Sequence, residues 1–445
     1  MTDRTAARLT STRHHDRIRA AIPAAICGLL LAGPAFAAPG APIGSRIEVH
    51  PATALPGIAS NSAGEFVVTW VTTTGGTVMA QRYDANGVAA SDAFLVGINS
   101  ANRAPSVAMN ASGSFVVSWT TPRTTVLPLL LGVVTRPGQV MARRYAAGGV
   151  PLGEAFEVAP LGDETDVAID DDGDCVVAWA ENGNRGSVSL FVPLGYLALR
   201  DLDVRFAGVD QIAVRRYSAD GSAFPPVTVD RQIELLGRGA AGVSVAMDAD
   251  GDHAVVWSRR IGRERSQIIA QRFNADGNAA GRERTVNSNP VTGRDTISGP
   301  DAAMSPDGTL AVTWAPALNF SPSGSARIAV FAPDNTVRVA EFAAADGNGN
   351  LSVLPKIAIS GTGDLRITAG SSGGLTLFPP LQTRLFADNG APLTATTRVL
   401  PVPMDTLANI SAISVDGAGR AAIAHVFFPG DATGGRLSVQ RFAGR

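Results

Sequence analysis

The chain has 445 residues, 45% of them hydrophobic, with 48 glycines and 28 prolines. Its formal net charge is −2, with 37 basic against 39 acidic residues. This near balance excludes a nucleic-acid-binding protein, which needs a strongly basic face.

The first predicted element is a secretory signal peptide over residues 1–37. An arginine-rich start precedes the apolar run AAIPAAICGLLLAGPAFA, which ends in a small-x-small cleavage site. We expect export, to the periplasm or the medium, with cleavage near Ala37; a buried N-terminal helix is the alternative. No later apolar run is long enough to span a membrane. Cys27 leaves with the signal, so Cys175 has no partner for an internal disulfide.

Residues 38–445 are predicted to form one domain from seven copies of a unit. Four copies align without gaps: GIASNSAGEFVVTW, SVAMNASGSFVVSW, DVAIDDDGDCVVAW and SVAMDADGDHAVVW. DAAMSPDGTLAVTW, KIAISGTGDLRITA and AISVDGAGRAAIAH complete the set. Each copy contains one glycine, termed its pivot glycine: Gly64, Gly113, Gly173, Gly251, Gly308, Gly363 and Gly419.

A second half follows in each unit, exemplified by VMAQRYDANG, with an Arg-aromatic pair and a polar-Gly turn. Short alternating apolar runs bounded by Gly, Asp and Asn are typical of strand–turn–strand structure, here twice per unit. Four antiparallel strands per repeat predict an all-β, seven-bladed β-propeller with four-stranded antiparallel blades.

The chain ends predict how the ring closes. The seventh unit stops after its third strand, at QRFAGR, whereas GAPIGSRIEVHP near the start matches the fourth strand of the second unit, GVPLGEAFEVAP. An N-terminal strand over residues 44–50 is therefore expected to complete the last blade and remove the open edges. A β-solenoid is the alternative, but it does not explain the displaced strand.

The repeat, Val-Ala-x-x-x-x-Gly-x-Phe-Val-Val-x-Trp followed by Ala-Gln-Arg-Phe/Tyr, resembles repeats of bacterial exported propeller proteins. That resemblance covers residues 40–445 and implies a fold rather than an activity. One blade, MSPDGTLAVTW, is also similar to blades of TolB-like periplasmic propellers.

Two repeated residue types are interpreted as structural. All five tryptophans lie six residues after a pivot glycine, where packing between blades is expected and sugar stacking is the alternative. An arginine recurs at one position of the third strand, where we expect a pair with a neighbouring carboxylate: Arg82, Arg144, Arg216, Arg272, Arg384 and Arg441.

The Asp-Gly turns raise the question of a metal. Two copies carry three aspartates each, namely Asp170, Asp172 and Asp174, and Asp248, Asp250 and Asp252. The glycine stands too early for an EF-type loop and no Glu closes it. The other copies carry Asn or Ser at the first position, which suits a hairpin turn. We expect no cofactor, and Ca²⁺ stays as an alternative for these six residues.

No catalytic signature is found. The histidines outside the signal (His50, His253 and His425) lack ligand spacing, no Gly-x-Ser-x-Gly elbow occurs, and Cys175 lies within a strand. We therefore predict no catalytic residues. The loops that enter each first strand surround the channel mouth, and they supply the predicted ligand-binding residues: Asp163, Glu164, Asp166, Arg238, Arg294, Asp295, Asp301 and Lys356.

Two apolar insertions, at residues 124–138 and 189–206, lengthen the second-to-third-strand connections of blades two and three. Exposed apolar surface implies a partner, here another envelope or extracellular protein or a peptide. The alternative is that the insertions extend strands or pack on each other. The predicted contact residues are Leu127, Leu129, Leu130, Leu131, Leu190, Phe191, Leu194, Tyr196 and Leu197.

The leading functional hypothesis from the sequence is a non-enzymatic exported scaffold that uses these insertions and the channel-mouth face. The alternative is a propeller enzyme, a hydrolase or lyase, acting on a glycan-like polar substrate at the channel mouth. An enzyme needs a convergent acid/base pair there, so dispersed or fully ion-paired carboxylates would remove that alternative.

Overall fold

The computed structural model describes residues 37–51, 53–72, 76–98, 104–127, 132–162, 164–182, 185–190, 201–205, 208–234, 241–261, 265–292, 299–315, 325–346, 351–371, 380–399, 407–428 and 435–445. These residues contain strands and no helix. None of them belongs to a helix long and apolar enough to cross a membrane. The predicted signal peptide lies outside the described residues except for Ala37.

The strands form seven antiparallel sheets in a ring, a seven-bladed β-propeller, as the sequence predicted. The first strand of the chain is β1 (Pro42–Pro51). Blade 1 contains β2 (Thr53–Ser60), β3 (Phe66–Thr72), β4 (Thr77–Tyr83) and β5 (Phe94–Ile98). Blade 2 contains β6 (Ser106–Met109), β7 (Phe115–Leu127), β8 (Gly132–Tyr145) and β9 (Phe156–Gly162).

Blade 3 carries a hairpin insertion between its second and third strands. Its strands in chain order are β10 (Glu164–Ile169), β11 (Cys175–Asn182), the hairpin β12 (Arg185–Leu190) and β13 (Asp201–Arg205), then β14 (Gly208–Tyr217) and β15 (Val227–Glu234). Blade 4 contains β16 (Ala241–Met247), β17 (His253–Arg260), β18 (Arg265–Phe273), β19 (Arg284–Thr285) and β20 (Val291–Thr292).

The last three blades are more regular. Blade 5 contains β21 (Asp301–Met304), β22 (Leu310–Trp314), β23 (Arg327–Phe331) and β24 (Val337–Ala343). Blade 6 contains β25 (Leu351–Ile359), β26 (Leu365–Ser371), β27 (Leu381–Phe386) and β28 (Thr397–Arg398). Blade 7 contains β29 (Leu407–Val415), β30 (Ala421–Phe428) and β31 (Arg436–Phe442).

The seventh blade obtains its fourth strand from the other end of the chain. Strand β1 pairs antiparallel with β31, with Ile47 opposite Val439 and Glu48 opposite Ser438. Beyond the strands, the Gly40 N–H donates to the Ala443 carbonyl at 3.1 Å. The predicted closure by residues 44–50 is confirmed: β1 is the outer strand of blade 7, and β31 is paired on both sides.

Each pivot glycine allows a tight hairpin turn between the first and second strands. All seven have positive φ, from +74° at Gly419 to +96° at Gly173, a region that side chains disfavour. The side chain three residues earlier holds the turn: Asp170 Oδ1 accepts the N–H groups of Gly173 and Asp174, both at 2.8 Å. Asn61 Oδ1 accepts the Glu65 N–H in the same way.

The turn geometry accounts for the acidic copies without a metal. Asp248 Oδ1 accepts the N–H groups of Asp250 and Asp252, as its neutral counterparts do in other blades. Among the described residues, no group of three or more His, Cys, Asp or Glu side chains is placed to hold a metal ion.

The tryptophans fill the spaces between blades, which supports core packing over sugar stacking. Trp70 and Trp257 have no exposed surface, and Trp119, Trp179 and Trp314 are at most 4% exposed. Trp257 packs with strands of blade 3 and blade 4 in one apolar cluster, and Trp314 packs with those of blades 4 and 5. His425 takes this position in blade 7 and is also fully buried.

The recurring arginines are structural, but their predicted carboxylate partners are wrong. Arg144 donates to the carbonyls of Ser218 and Gly173 in the next blade, at 2.7 and 2.8 Å. Arg441 likewise reaches the Ala85 carbonyl across the ring closure. The turn carboxylates serve their own turns instead, since Asp84 Oδ1 accepts the Val88 N–H at 2.8 Å.

We predict that the ring closure depends on the apolar face of β1. Ile47 and Val49 pack against the blade 1–blade 7 cluster that contains Leu437 and Val439. The double substitution Ile47→Ala with Val49→Ala should lower the free energy of unfolding by about 2 kcal/mol, from lost burial and the cavities left behind. Urea unfolding measures this. The exposed neighbour substitution Ser45→Ala is the control, and an equal effect of both variants would contradict the assignment.

A second prediction concerns acid stability. Burial lowers the pKa of His425 to about 4, below the unfolded value near 6.5. The unfolded chain then binds the proton first, so the contribution of His425 is lost as the pH falls from about 6.5 towards 4, by up to about 3 kcal/mol. His425→Phe, which keeps an aromatic ring where five blades have tryptophan, should unfold with a smaller acid loss. Equal losses in urea unfolding at pH ~7 and ~4.5 would show that His425 does not titrate in this way.

Candidate functional site

One position of the first strand repeats around the central channel. It lies seven residues before each pivot glycine and pairs with the residue five after it, as in Asp166 opposite Ala178 and Asp301 opposite Thr313. Because this register is the same in all seven blades, these residues lie at one level of the innermost strands. We call them the axial ring: Gly57, Ser106, Asp166, Ser244, Asp301, Lys356 and Ala412.

Four ring side chains each bind the backbone of the next blade. Ser106 Oγ accepts the Val167 N–H at 3.3 Å, and Asp166 Oδ2 accepts the Val245 N–H at 2.9 Å. The same bond recurs between Ser244 and Ala302 at 3.2 Å, and between Asp301 and Ile357 at 2.8 Å. In each case the N–H belongs to the residue that follows the next ring position, on the edge of its sheet that has no neighbouring strand. We call this bond the inter-blade clamp.

Asp166 is the most strongly held member of the ring. Ser106 and Ser244 donate their hydroxyls to its two oxygens, at 2.5 and 3.0 Å. The N–H groups of Val167 and Val245 add a second donor to each oxygen. Burial raises the pKa of Asp166, against the opposing effects of the Ser106 and Val245 hydrogen bonds and the charge of Lys356. The site therefore holds a carboxyl that keeps its proton to a higher pH than an ordinary aspartate.

Lys356 is the one cationic residue of the axial ring. Its ammonium donates to Asp301 Oδ1 at 2.8 Å, and 42% of its side chain remains exposed, compared with 15% for Asp301. Desolvation works to lower the pKa of Lys356, but the charges of Asp301, Asp166 and Glu164 outweigh it and raise this pKa. The ammonium thus stays charged, held by its ion pair with Asp301.

Glu164 lies two residues before Asp166, at the start of β10. Its Oε2 accepts the Gly242 N–H of blade 4 at 2.7 Å. Since strand β10 enters the blade at Glu164, this carboxylate lies nearer the channel mouth than the ring itself. The polar ring residues therefore run through five blades, from blade 2 to blade 6, and small residues, Ala412 and Gly57, occupy the ring in blades 7 and 1.

Half of the predicted ligand-binding residues can be placed, and they converge. Glu164, Asp166, Asp301 and Lys356 share the channel: one salt bridge and the attraction of Lys356 to the other two carboxylates link them. The structural test of the enzyme alternative also names Asp163 and Asp295, which lie outside the described residues, so that alternative stays a prediction at this point. Asp163, Arg238, Arg294 and Asp295 lie outside the described residues.

Sequence reasoning missed Ser106 and Ser244, which bind both oxygens of Asp166. It had treated the charged residues as members of separate loops. Counting back seven residues from each pivot glycine would have placed Asp166, Asp301 and Lys356 in one ring and shown the two serines between them.

The two insertions become strands of one sheet. Strands β7 and β8 continue beyond the blade as far as Leu127 and Gly132, and β12 of the blade 3 insertion pairs with β8, with Val188 opposite Val134. Leu127 and Leu190 lie on these strands. The other predicted contact residues, Leu129, Leu130, Leu131, Phe191, Leu194, Tyr196 and Leu197, lie outside the described residues.

The sequence matches no protein-family model and no curated protein. Solved structures share the fold at low identity. A protein of unknown function from Dyadobacter fermentans DSM 18053 is 10% identical over 92% of this chain and 98% of its own, with a TM-score of 0.46. Polysaccharide lyase Uly1 is 9% identical over 90% and 99%, with a TM-score of 0.48. An α-L-arabinanase of Penicillium chrysogenum, complexed with arabinobiose, is 11% identical over 90% and 98%, with a TM-score of 0.46.

The leading hypothesis from the sequence, a non-enzymatic scaffold, is wrong on these findings. Several of the similar structures are enzymes by name, including two polysaccharide lyases, an arabinanase, an arabinofuranosidase and a trans-sialidase. The insertions meant as its contact surface pair with each other, which was the structural alternative. The propeller fold is shown by the sheet topology of this chain itself, and the chemistry must be argued from the channel.

We predict that the serines of the ring stabilise the fold. Ser244 is 3% exposed and connects Asp166 to the Ala302 N–H, so Ser244→Ala leaves both groups short of a partner. The free energy of unfolding should fall by about 1–3 kcal/mol. Ser62→Ala, at an exposed turn position, should change it by less than about 0.5 kcal/mol. Indistinguishable urea-unfolding curves for the two variants would refute the inter-blade clamp.

Proposed function

We propose that this protein is an exported enzyme that cleaves a polar, glycan-like substrate by acid–base chemistry at the mouth of the central channel. One observation carries the proposal: in the axial ring, a carboxyl of raised pKa interacts with the charge of Lys356, whose side chain is 42% exposed and paired with Asp301. Groups whose environments hold them in different protonation states are the usual components of acid–base catalysis.

The ring residues divide the chemistry among themselves. Asp166 keeps a proton to higher pH, so it is the candidate proton donor to a leaving oxygen. Glu164 lies towards the mouth and is the candidate acceptor of a proton from water or from the substrate. Lys356 is the exposed cation, suited to binding hydroxyl oxygens or the negative charge that develops in the reaction, and Asp301 fixes its position.

The proposal is tested by cleavage assays on a panel of polysaccharides that includes arabinan and uronate-containing polymers. Hydrolysis gives new reducing ends alone, whereas elimination also gives an unsaturated, ultraviolet-absorbing sugar. Asp166→Asn and Lys356→Met should each lower kcat/KM by about 100-fold or more. The turn variant Asp172→Asn is the folded control and should retain activity. Full activity in Asp166→Asn and Lys356→Met would overturn the proposal, as would inactivity of the native protein on every polymer.

The pH profile tests the role of Asp166 separately. Activity that needs its proton falls as the pH rises through its raised pKa. The Ser106 hydrogen bond lowers this pKa, so Ser106→Ala should move the alkaline limb of kcat/KM to higher pH. An unmoved limb, or one moved to lower pH, would assign the proton to another group.

A further inference from the structure

A second polar site lies at the outer strands between blades 4 and 5, away from the channel. Three arginines, one carried by β18, one by β19 and one between them, line a groove of about 640 Å³ together with the turn that follows β23. We call it the arginine groove; the residues that matter below are Arg272, Arg282, Arg284 and Asp334.

Comparison with the other blades shows that Arg284 replaces an aromatic residue. The position is counted from the residue with positive φ in the turn between the third and fourth strands. The seventh residue after it is Phe94 in blade 1, Phe156 in blade 2 and Phe342 in blade 5. Each of these rings packs on an aromatic ring of the next blade at 4.9–5.5 Å. In blade 4 the residue is Arg284, whose guanidinium lies 5.2 Å from the Phe331 ring centre. The packing is retained there, and a positive charge is added.

That charge has no carboxylate partner among the described residues. Neither Arg282 nor Arg284 has a carboxylate within ion-pair distance there, and the Arg284 Nε is buried without a hydrogen-bond partner. Arg272 is 6% exposed, and its Nε also lacks a partner. The equivalent arginine of blade 1, Arg82, also has an Nε without a partner. The fourth strand of blade 1, however, carries Phe94 where blade 4 carries Arg284.

The nearby acids do not neutralise the groove. Glu283 forms a two-point pair with Arg259, at 2.6 and 2.8 Å. Asp334 accepts the N–H and hydroxyl of Thr336 within its own turn. Arg272 donates to the carbonyls of Gly308 and Ala332, both at 3.0 Å. The guanidinium groups of Arg282 and Arg284 therefore share the groove with one turn-bound carboxylate.

We propose that the arginine groove binds an oxyanion, a carboxylate, sulfate or phosphate group carried by a ligand. The planar guanidinium of arginine matches such groups with two parallel hydrogen bonds. Arg284 and Arg282 supply the donors, and Arg272, which is held by the Gly308 and Ala332 carbonyls, adds its positive charge to the lining. The volume lies within the range of small-ligand sites.

Calorimetric titration with three probes, inorganic sulfate, inorganic phosphate and glucuronate, tests this at constant ionic strength in chloride. Arg284→Phe restores the residue used in blades 1, 2 and 5, so it should fold, and it should weaken binding at least tenfold. Arg282→Gln should weaken it several-fold. Arg398→Gln, an exposed arginine on β28, is the matched control and should bind as the native protein does.

The outcomes separate clearly. Tighter binding of glucuronate identifies a carboxylate on a sugar, and tighter binding of sulfate or phosphate identifies an ester; either supports the site if Arg284→Phe loses it. No saturable binding by the native protein, or equal binding by Arg284→Phe, overturns the proposal. The proposed cleavage at the channel does not involve these arginines. The cleavage assay therefore tests the proposed function independently of the oxyanion titration.

Discussion

The hydrogen bond from a ring side chain to the first strand of the next blade is the interaction on which this architecture and its chemistry both depend. The first strand of each blade has an inner edge with no neighbouring strand, and its N–H groups need acceptors. Ser106, Asp166, Ser244 and Asp301 provide them in sequence around half of the ring. Binding the blades together therefore places carboxylates on the innermost strands, where burial raises the pKa of Asp166.

The close approach of two blades explains why the ring residue of blade 1 is a glycine. Gly57 cannot carry any side chain, because a Cβ there would lie 2.7 Å from the Pro105 carbonyl oxygen. Blades 1 and 2 approach each other closely at this level, and no clamp residue fits between them. The charged ring residues, Asp166, Asp301 and Lys356, lie in blades 3, 5 and 6. Under the proposed function, a substrate would meet them away from blades 7 and 1.

The sequence predicted the fold because the fold is repeated. The glycine that needs positive φ recurs in every unit, and a tryptophan follows it by six residues in five of them. The displaced fourth strand occurs once, and only the last blade lacks that strand. The partners of Arg144 and the pairing of β12 with β8 could not be read in this way. Both depend on which backbone N–H and carbonyl groups of another blade lack a hydrogen-bond partner, and the residue types in a sequence do not indicate this. The convergence of Asp166, Asp301 and Lys356 was readable, but only from the shared register.

Lys356 is the single lysine of the chain, so it can report directly on the channel. Reductive methylation with ¹³C-formaldehyde labels it and the amino terminus, and NMR then follows its titration and its response to ligands. The account predicts that the Lys356 signal titrates above a dimethyllysine reference, falls towards that reference in Asp301→Asn, and shifts saturably with oligosaccharides of the polymer that is cleaved. A signal that titrates at or below the reference and ignores every such oligosaccharide would contradict the account.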